Sequence, residues 1–147
     1  MVPDSTPALV DRLARFEQVV EVGIGNRTDV AAGLAERGVA VTATDVHDRS
    51  VPDGVRFVRD DVTDPDPAVY ADADAVYALN CPPELQRAVV AVARRADAAC
   101  LFTTLGGDPT AVPATAETLP GDTLFVVDTE APGGGRGGRS RRGRGDR

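Results

Sequence analysis

The chain has 147 residues, which predicts a single domain, and its 42% apolar content is enough to build one hydrophobic core. Aromatic residues make up only 4% and Trp is absent, which disfavours a binding face of stacked aromatic rings. The net charge of −7 hides a split, because residues 133–147 carry +5 and residues 1–132 carry −12. We therefore expect an acidic domain over residues 1–132 and a disordered Arg/Gly-rich tail over residues 133–147.

All sixteen basic residues of the chain are Arg. An acidic, Lys-free surface is typical of proteins that stay soluble in concentrated salt, whereas a GC-rich gene exchanges Lys for Arg without adding acids. This composition resembles that of haloarchaeal cytosolic proteins. No leader is recognisable and no apolar run approaches the ~18 residues of a membrane span, so we expect a cytoplasmic protein. Cys81 and Cys100 lack partners at metal-ligand spacing, which predicts two buried free thiols and no metal site.

The N-terminal part of the chain predicts a helix, a strand, a glycine turn and a second helix. The first helix begins at Thr6, its expected N-cap, and precedes the Val-rich strand Val19–Gly25. Two glycines end that strand, and the second helix is capped by Asn26 or Thr28 and ended by Gly38.

The rest of the chain alternates apolar strands with polar or helical connections. Only nine residues separate the second and third strands, too few for a crossover helix, and the polar stretch before the fourth strand has room for one helical turn. A strong helix begins at Pro83, and a weak one is predicted over Thr110–Leu119. This spacing predicts a doubly wound, mostly parallel α/β sheet, Rossmann-like, of about six strands. In chain order these strands are Val19–Gly25, Val39–Asp45, Val55–Arg59, Ala73–Leu79, Ala99–Leu105 and Thr123–Asp128.

Glycines and acids stand where the first three predicted strands end. The first strand ends in Glu21-x-Gly23-x-Gly25, the second in Asp45, and Asp61 follows the third. Glycines allow positive φ and a close approach of ligand to backbone, and an acid at the spacing of Asp45 can accept both hydroxyls of a ribose. A carboxylate at the third strand can accept a hydrogen bond from the amino group of adenine. Ligands of such sheets bind outside the carboxyl ends of the strands, so the sequence predicts an adenosine site.

Each of these residues also has a purely structural interpretation. The glycines can serve a tight turn, and Asp45 and Asp61 can be solvated loop acids. Glu21 can be a buried acid that accepts hydrogen bonds from nearby backbone amides. His47, the single His of the chain, lies in a polar turn, which favours a surface imidazole over an acid–base role.

Four segments carry a resemblance to known proteins: EVGIGNRTDVAAGL, VTATDV, RFVRDDVTDP and DAVYALNCPPELQ. Through them residues 6–130 resemble the short archaeal family UPF0146, and the pattern is similar to class I S-adenosylmethionine-dependent methyltransferases. The resemblance implies that the glycine turn, Glu21 included, contacts the methionine portion of S-adenosylmethionine. It also implies that Asp45 holds the ribose and that Asp61 meets the adenine.

The resemblance is weaker on the substrate side. The segment Asn80–Pro83 falls where amino-directed methyltransferases carry an Asn/Asp-Pro-Pro-aromatic motif, which implies that Asn80 orients the target nitrogen. Cys81 interrupts that motif here, and Thr28 occupies the third glycine position of the fingerprint. Because one strand is predicted after the fifth, we expect the final antiparallel hairpin of these enzymes to be missing.

Three functions follow as hypotheses. The first is an S-adenosylmethionine-binding, methyltransferase-like protein that acts on an amine of a nucleic acid or a small molecule. The second is an NAD(P)-binding Rossmann domain, which the position of Asp45 favours and Thr28 and Glu21 disfavour. The third is a non-catalytic scaffold that binds RNA or a protein, with the Arg/Gly tail resembling segments that stack Arg on RNA bases.

Overall fold

The computed structural model describes residues 4–128 of the chain. The predicted tail over residues 133–147 and the predicted domain end at residue 132 lie outside the described residues. Within these residues four helices cover a seven-stranded sheet: α1 (Thr6–Leu13), α2 (Asp29–Glu36), α3 (Pro67–Tyr70) and α4 (Pro83–Arg95). The strands are β1 (Gln18–Val22), β2 (Ala40–Asp45), β3 (Val55–Arg59), β4 (Ala75–Ala78), β5 (Ala99–Phe102), β6 (Ala114–Leu119) and β7 (Asp122–Val127).

The strand order is β3-β2-β1-β4-β5-β7-β6, with β1 to β5 parallel and β7 antiparallel to both of its neighbours. The prediction of a doubly wound, mostly parallel sheet is therefore confirmed. Strand order reverses between β1 and β4, so the crevice outside the carboxyl ends of these two strands is the place where such folds bind ligands.

The sequence prediction is wrong for the region after β5. Residues 114–119 form strand β6 instead of part of a helix, and β6 pairs with β7 along its whole length from Ala114↔Val127 to Leu119↔Asp122. The two strands are joined by Pro120 and Gly121, and Gly121 has φ +85°, as the third residue of a Pro-Gly turn requires. The described part of the chain therefore forms a sheet of seven strands. We expected the final antiparallel hairpin to be missing, but β6 and β7 form it.

Apolar side chains fill both faces of the sheet. One cluster lies under α1 and α2 and includes Leu9, Leu34 and Tyr77, and the other lies under α4 and includes Val89 and Phe102. Alternation along the strands decides which residue faces which cluster, because successive side chains of a strand point to opposite faces. The core thus follows from the Val, Ala and Leu content of the strands.

The structure also tests the smaller predictions. Thr28 occupies the N-cap position of α2, whereas Ser5 occupies that of α1 and Thr6 is its first helical residue. Cys81 and Cys100 are both free and buried, as predicted, and burial raises the pKa of each thiol, to about 11 and about 12. Within residues 4–128 no helix is long and apolar enough to cross a membrane, and no cluster of ligating side chains is arranged to hold a metal ion.

Candidate functional site

A glycine turn connects β1 to α2 at the point where the strand order reverses. Gly23 and Gly25 have φ of +69° and +56°, a region that L side chains rarely adopt. A Cβ placed on Gly23 would meet no atom within 4 Å, so the space above this backbone is open. The turn is tied to the neighbouring strand by the Ile24 N–H, which donates to the Thr44 carbonyl at 3.0 Å. The glycines therefore serve the turn, and no atom crowds the backbone at Gly23.

Asp45 ends β2 beside this turn and fixes its shape. Its Oδ2 accepts the Gly25 N–H at 2.9 Å and its Oδ1 accepts the His47 N–H at 3.0 Å. Burial opposes its ionisation, but these two backbone donors and the nearby Arg49 charge lower the pKa of Asp45 below its usual value. Asp45 is thus an ionised carboxylate with 8% of its surface exposed, and each of its oxygens keeps a lone pair for a further donor.

Glu21 lies on β1 and is buried, with 1% of its surface exposed. Tyr77 stands opposite it in the parallel register of β1 and β4, and the Tyr77 hydroxyl donates to Glu21 Oε1 at 2.7 Å. Burial raises the pKa of Glu21 to about 8, although the Tyr77 hydrogen bond and the charge of Arg27 lower it. The buried acid that the sequence allowed is therefore present, but its partner is a tyrosine hydroxyl instead of backbone amides.

The two acids after β3 differ in their surroundings. Asp60 accepts the Tyr70 hydroxyl at 2.7 Å and the Asp66 N–H at 3.0 Å, which fixes the loop between β3 and α3. Asp61 is exposed and accepts both the hydroxyl and the N–H of Thr63, contacts that lower the pKa of Asp61. Asp61 is therefore an ionised, solvent-facing carboxylate next to the end of β3.

Asn80 lies between β4 and α4, in the loop that follows the strand next to β1. Its φ of +53° is the left-handed conformation, which Asn adopts more readily than most residues. Its N–H donates to the Thr103 hydroxyl at 2.8 Å, and the next N–H, of Cys81, donates to the Thr103 carbonyl at 2.7 Å. Thr103 is fully buried and directly follows β5, so the end of β5 fixes the backbone of the Asn80 turn.

Gln86 joins the Asn80 turn to the loop that follows β5. This side chain of α4 is fully buried, and its Nε2 donates to the carbonyls of Cys81 at 3.4 Å and Pro109 at 3.2 Å. Its Oε1 accepts the Ala111 N–H at 2.5 Å. Because every polar atom of the amide has a partner, Gln86 fixes both segments relative to the helix.

The structure brings the sequence-predicted residues together on one edge of the sheet, at the ends of β1, β2, β3 and β4. Sequence reasoning missed four side chains that organise this edge: Arg49, Tyr77, Gln86 and Thr103. Only Arg49 carried a local signal, since it follows Asp45 by four residues in a turn. Each of the other three makes a hydrogen bond across 23 to 56 residues, which a pattern search does not detect.

The fold places the chain among proteins with a methyltransferase-like Rossmann fold. Solved structures with this fold include an RNA methyltransferase from Salinibacter ruber in complex with S-adenosyl-L-homocysteine, with a TM-score of 0.62 at 17% identity, covering 90% of this chain and 97% of that chain. Another is the magnesium protoporphyrin IX methyltransferase of Synechocystis with bound S-adenosylhomocysteine, with a TM-score of 0.57 at 12% identity, covering 83% of this chain and 80% of that chain.

Within this class, residues 5–129 match the model of the Uncharacterised protein family UPF0146. A UPF0146 protein of Halobacterium salinarum is 63% identical over 122 residues, which cover 82% of this chain and 95% of that protein. A UPF0146 protein of Archaeoglobus fulgidus is 52% identical over 91 residues, 62% of this chain and 70% of that protein. The chain belongs to the UPF0146 family, as its motifs suggested, and has relatives in a haloarchaeon.

Proposed function

We propose that the protein binds S-adenosylmethionine at the carboxyl ends of β1 to β4 and methylates an amine. The observation that carries this proposal is the placement of Asp45. An ionised carboxylate lies at the end of β2, fixed by the backbone N–H of the glycine turn at the reversal of strand order. In sheets of this kind the acid at the second strand accepts the hydroxyls of a ribose.

The residues at this edge fit the cofactor. No atom lies within 4 Å of the position that a Cβ would take on Gly23, which supports this backbone as the proposed contact of the methionine portion. Asp45 has lone pairs left for the two ribose hydroxyls. Asp61 is exposed and ionised, which supports it as the proposed acceptor for the adenine amino group. The likeness to the Salinibacter protein, 97% of which is matched and which is in complex with S-adenosyl-L-homocysteine, also supports the proposal.

Asn80 is the residue proposed to orient the amine. Its side-chain amide makes no hydrogen bond to any residue in the range 4–128, whereas its backbone is held by Thr103. The amide oxygen can therefore accept an N–H of the incoming amine and direct the nitrogen lone pair toward the crevice. When bound, the cofactor supplies an electrophilic methyl group on a sulfonium. The protein then needs to align and desolvate the amine, and no strong base is required.

The arrangement of the strands argues against each of the two other hypotheses. A nicotinamide-dinucleotide domain has the order 3-2-1-4-5-6 with all strands parallel, whereas β7 here is antiparallel and lies between β5 and β6. The scaffold hypothesis rested on a missing hairpin, and the hairpin is present. Binding of RNA through residues 133–147 stays a prediction, as does a cytoplasmic location.

Calorimetry in concentrated KCl tests the proposal, with S-adenosylmethionine, S-adenosylhomocysteine and NADH titrated into the full chain. We expect both adenosyl ligands to bind and NADH not to bind. Asp45→Ala should lower the affinity about 100-fold, because two charge-assisted hydrogen bonds are lost. Asp48→Ala, an exposed acid of the same segment, is the matched control and should bind as the wild type does. Absence of binding at millimolar ligand, or tighter binding of NADH, would overturn the proposal.

A further inference from the structure

Arg49 covers the carboxylate that the proposed cofactor needs. Its Nε lies 3.5 Å from Asp45 Oδ2, and its Nη1 donates to Asn26 Oδ1 at 3.3 Å. Asn26 directly follows Gly25, so the guanidinium bridges the loops after β1 and β2. These contacts place one arginine side chain across the region where a ribose would meet Asp45.

The contacts that hold Arg49 over Asp45 are weak. Arg49 Nε is inaccessible to solvent and, among residues 4–128, has no hydrogen-bond acceptor of good geometry, since its distance of 3.5 Å to Asp45 Oδ2 is that of an ion pair with at most a weak hydrogen bond. A buried donor without an acceptor is unfavourable, and most such groups in folded proteins are satisfied. The bond to Asn26 is also long, so Arg49 is held over Asp45 mainly by charge.

We infer that Arg49 is a latch that competes with the ribose hydroxyls for Asp45 and opens when an adenosine ligand binds. The inference rests on the proposed function, since it concerns access to the same carboxylate. Oδ2 already accepts the Gly25 N–H, so its remaining lone pair serves either the arginine or a hydroxyl. Arg49 therefore lowers affinity for the ligand instead of adding to it.

Salt should weaken this competition. The Arg49 side chain is 29% exposed, and dissolved ions screen a partly exposed ion pair more strongly than they affect hydrogen bonds between neutral hydroxyls and a carboxylate. S-adenosylhomocysteine has no net charge at neutral pH, so long-range attraction or repulsion contributes little to its salt dependence. The latch predicts that its affinity rises with KCl concentration as long as Arg49 is present.

The experiment is calorimetry of S-adenosylhomocysteine with the full chain at low and high KCl. Arg49→Met should bind about three- to tenfold more tightly than the wild type at low salt, and the difference should shrink at high salt. Arg49→Lys keeps the charge but lacks the planar guanidinium, so it should fall between them. Arg37→Met is the matched control, because it removes an ion pair to Asp11 that joins α1 to the end of α2.

The results for the variants test the latch and the proposed function separately. Unchanged or weaker binding by Arg49→Met, in a chain that unfolds at the wild-type temperature, overturns the latch and leaves the proposed function in place. A gain shared by Arg37→Met also overturns it, because the effect would then be one of net charge. If the wild type and both Arg49 variants bind no S-adenosylhomocysteine, the proposed function fails and the latch fails with it.

Discussion

The two sides of the crevice are held in place by different chemistry. On the β1–β2 side a charged group, Asp45, receives the backbone donors of the glycine turn and of its own loop. On the β4–β5 side the backbone donors are bound by neutral side chains. Thr103 accepts the N–H of Asn80, and Gln86 accepts the N–H of Ala111 in the loop after β5. The cofactor side should therefore respond to salt and to loss of charge. The substrate side should respond to the loss of buried hydrogen bonds, and each side can be altered without the other.

Gln86→Leu should have the largest effect on stability. It leaves the carbonyls of Cys81 and Pro109 and the Ala111 N–H without their partner, which should lower the free energy of unfolding by about 2–4 kcal/mol. Denaturant titration measures this. Arg87→Gln, at the exposed neighbouring position, is the control and should be neutral. If Gln86→Leu weakens S-adenosylhomocysteine binding as strongly as Asp45→Ala does, the two sides are not separable.

Glu21→Gln should remove a pH dependence that the wild type shows. The folded protein keeps the Glu21 proton up to a pKa of about 8, whereas the unfolded chain releases it near 4.5. The stability that Glu21 contributes is therefore full below pH 4.5 and is lost as the pH rises through about 8. Between these values the free energy of unfolding should fall by up to about 1.4 kcal/mol per pH unit.

The Gln variant can still accept the Tyr77 hydroxyl through its amide oxygen, so it should fold and show a flatter profile between pH 5.5 and 7.5. Glu36→Gln, which changes an exposed acid of α2, should keep the wild-type slope. Equal slopes in the wild type and Glu21→Gln would contradict a protonated Glu21.

Thr103→Val should have a smaller and more local effect. It removes the hydroxyl that accepts the Asn80 N–H and keeps the carbonyl that accepts the Cys81 N–H. We expect a loss of about 1 kcal/mol in unfolding free energy and faster hydrogen exchange of the Asn80 amide. Thr104→Val, one residue further on, is the control. Unchanged exchange at Asn80 would show that Thr103 does not hold this turn.

Asp61→Ala should have the smallest effect on the fold, because the Asp61 side chain is exposed and accepts its hydrogen bonds from the neighbouring Thr63, while the backbone bond to Asp64 is kept. Its thermal midpoint should equal that of the wild type. If Asp61 meets the adenine, affinity for S-adenosylhomocysteine should fall about three- to tenfold, well short of the loss in Asp45→Ala. Unchanged affinity would remove Asp61 from the proposed site.

The difference between the two sides also explains what the sequence could predict. The glycine turn and Asp45 were predictable because their signals are local: two glycines after an apolar strand and an acid at a fixed spacing. The placement of Thr103 and Gln86 depends on which loops meet across β5, and that is decided by tertiary packing. Glu21 was recognised as a possible buried acid, but its partner Tyr77 follows only from the register of β1 against β4.

The misassigned strand β6 shows the same limit. Residues 114–119 include Ala, Glu and Leu, which favour helices in isolation. Pairing with β7 through the Pro120-Gly121 turn overrides that preference, and Glu117 on this strand accepts a hydrogen bond from Arg12 Nε at 2.8 Å. The Pro-Gly pair before the last strand was the signal for a hairpin.

A crystal structure of the full chain grown with S-adenosylhomocysteine tests the central claim most directly. The account predicts the ribose hydroxyls on the Asp45 carboxylate, the homocysteine portion over Gly23, and the Arg49 guanidinium moved away from Asp45. Adenosine density at any other edge of the sheet, or a ligand at this edge that leaves Asp45 without a contact, would contradict it.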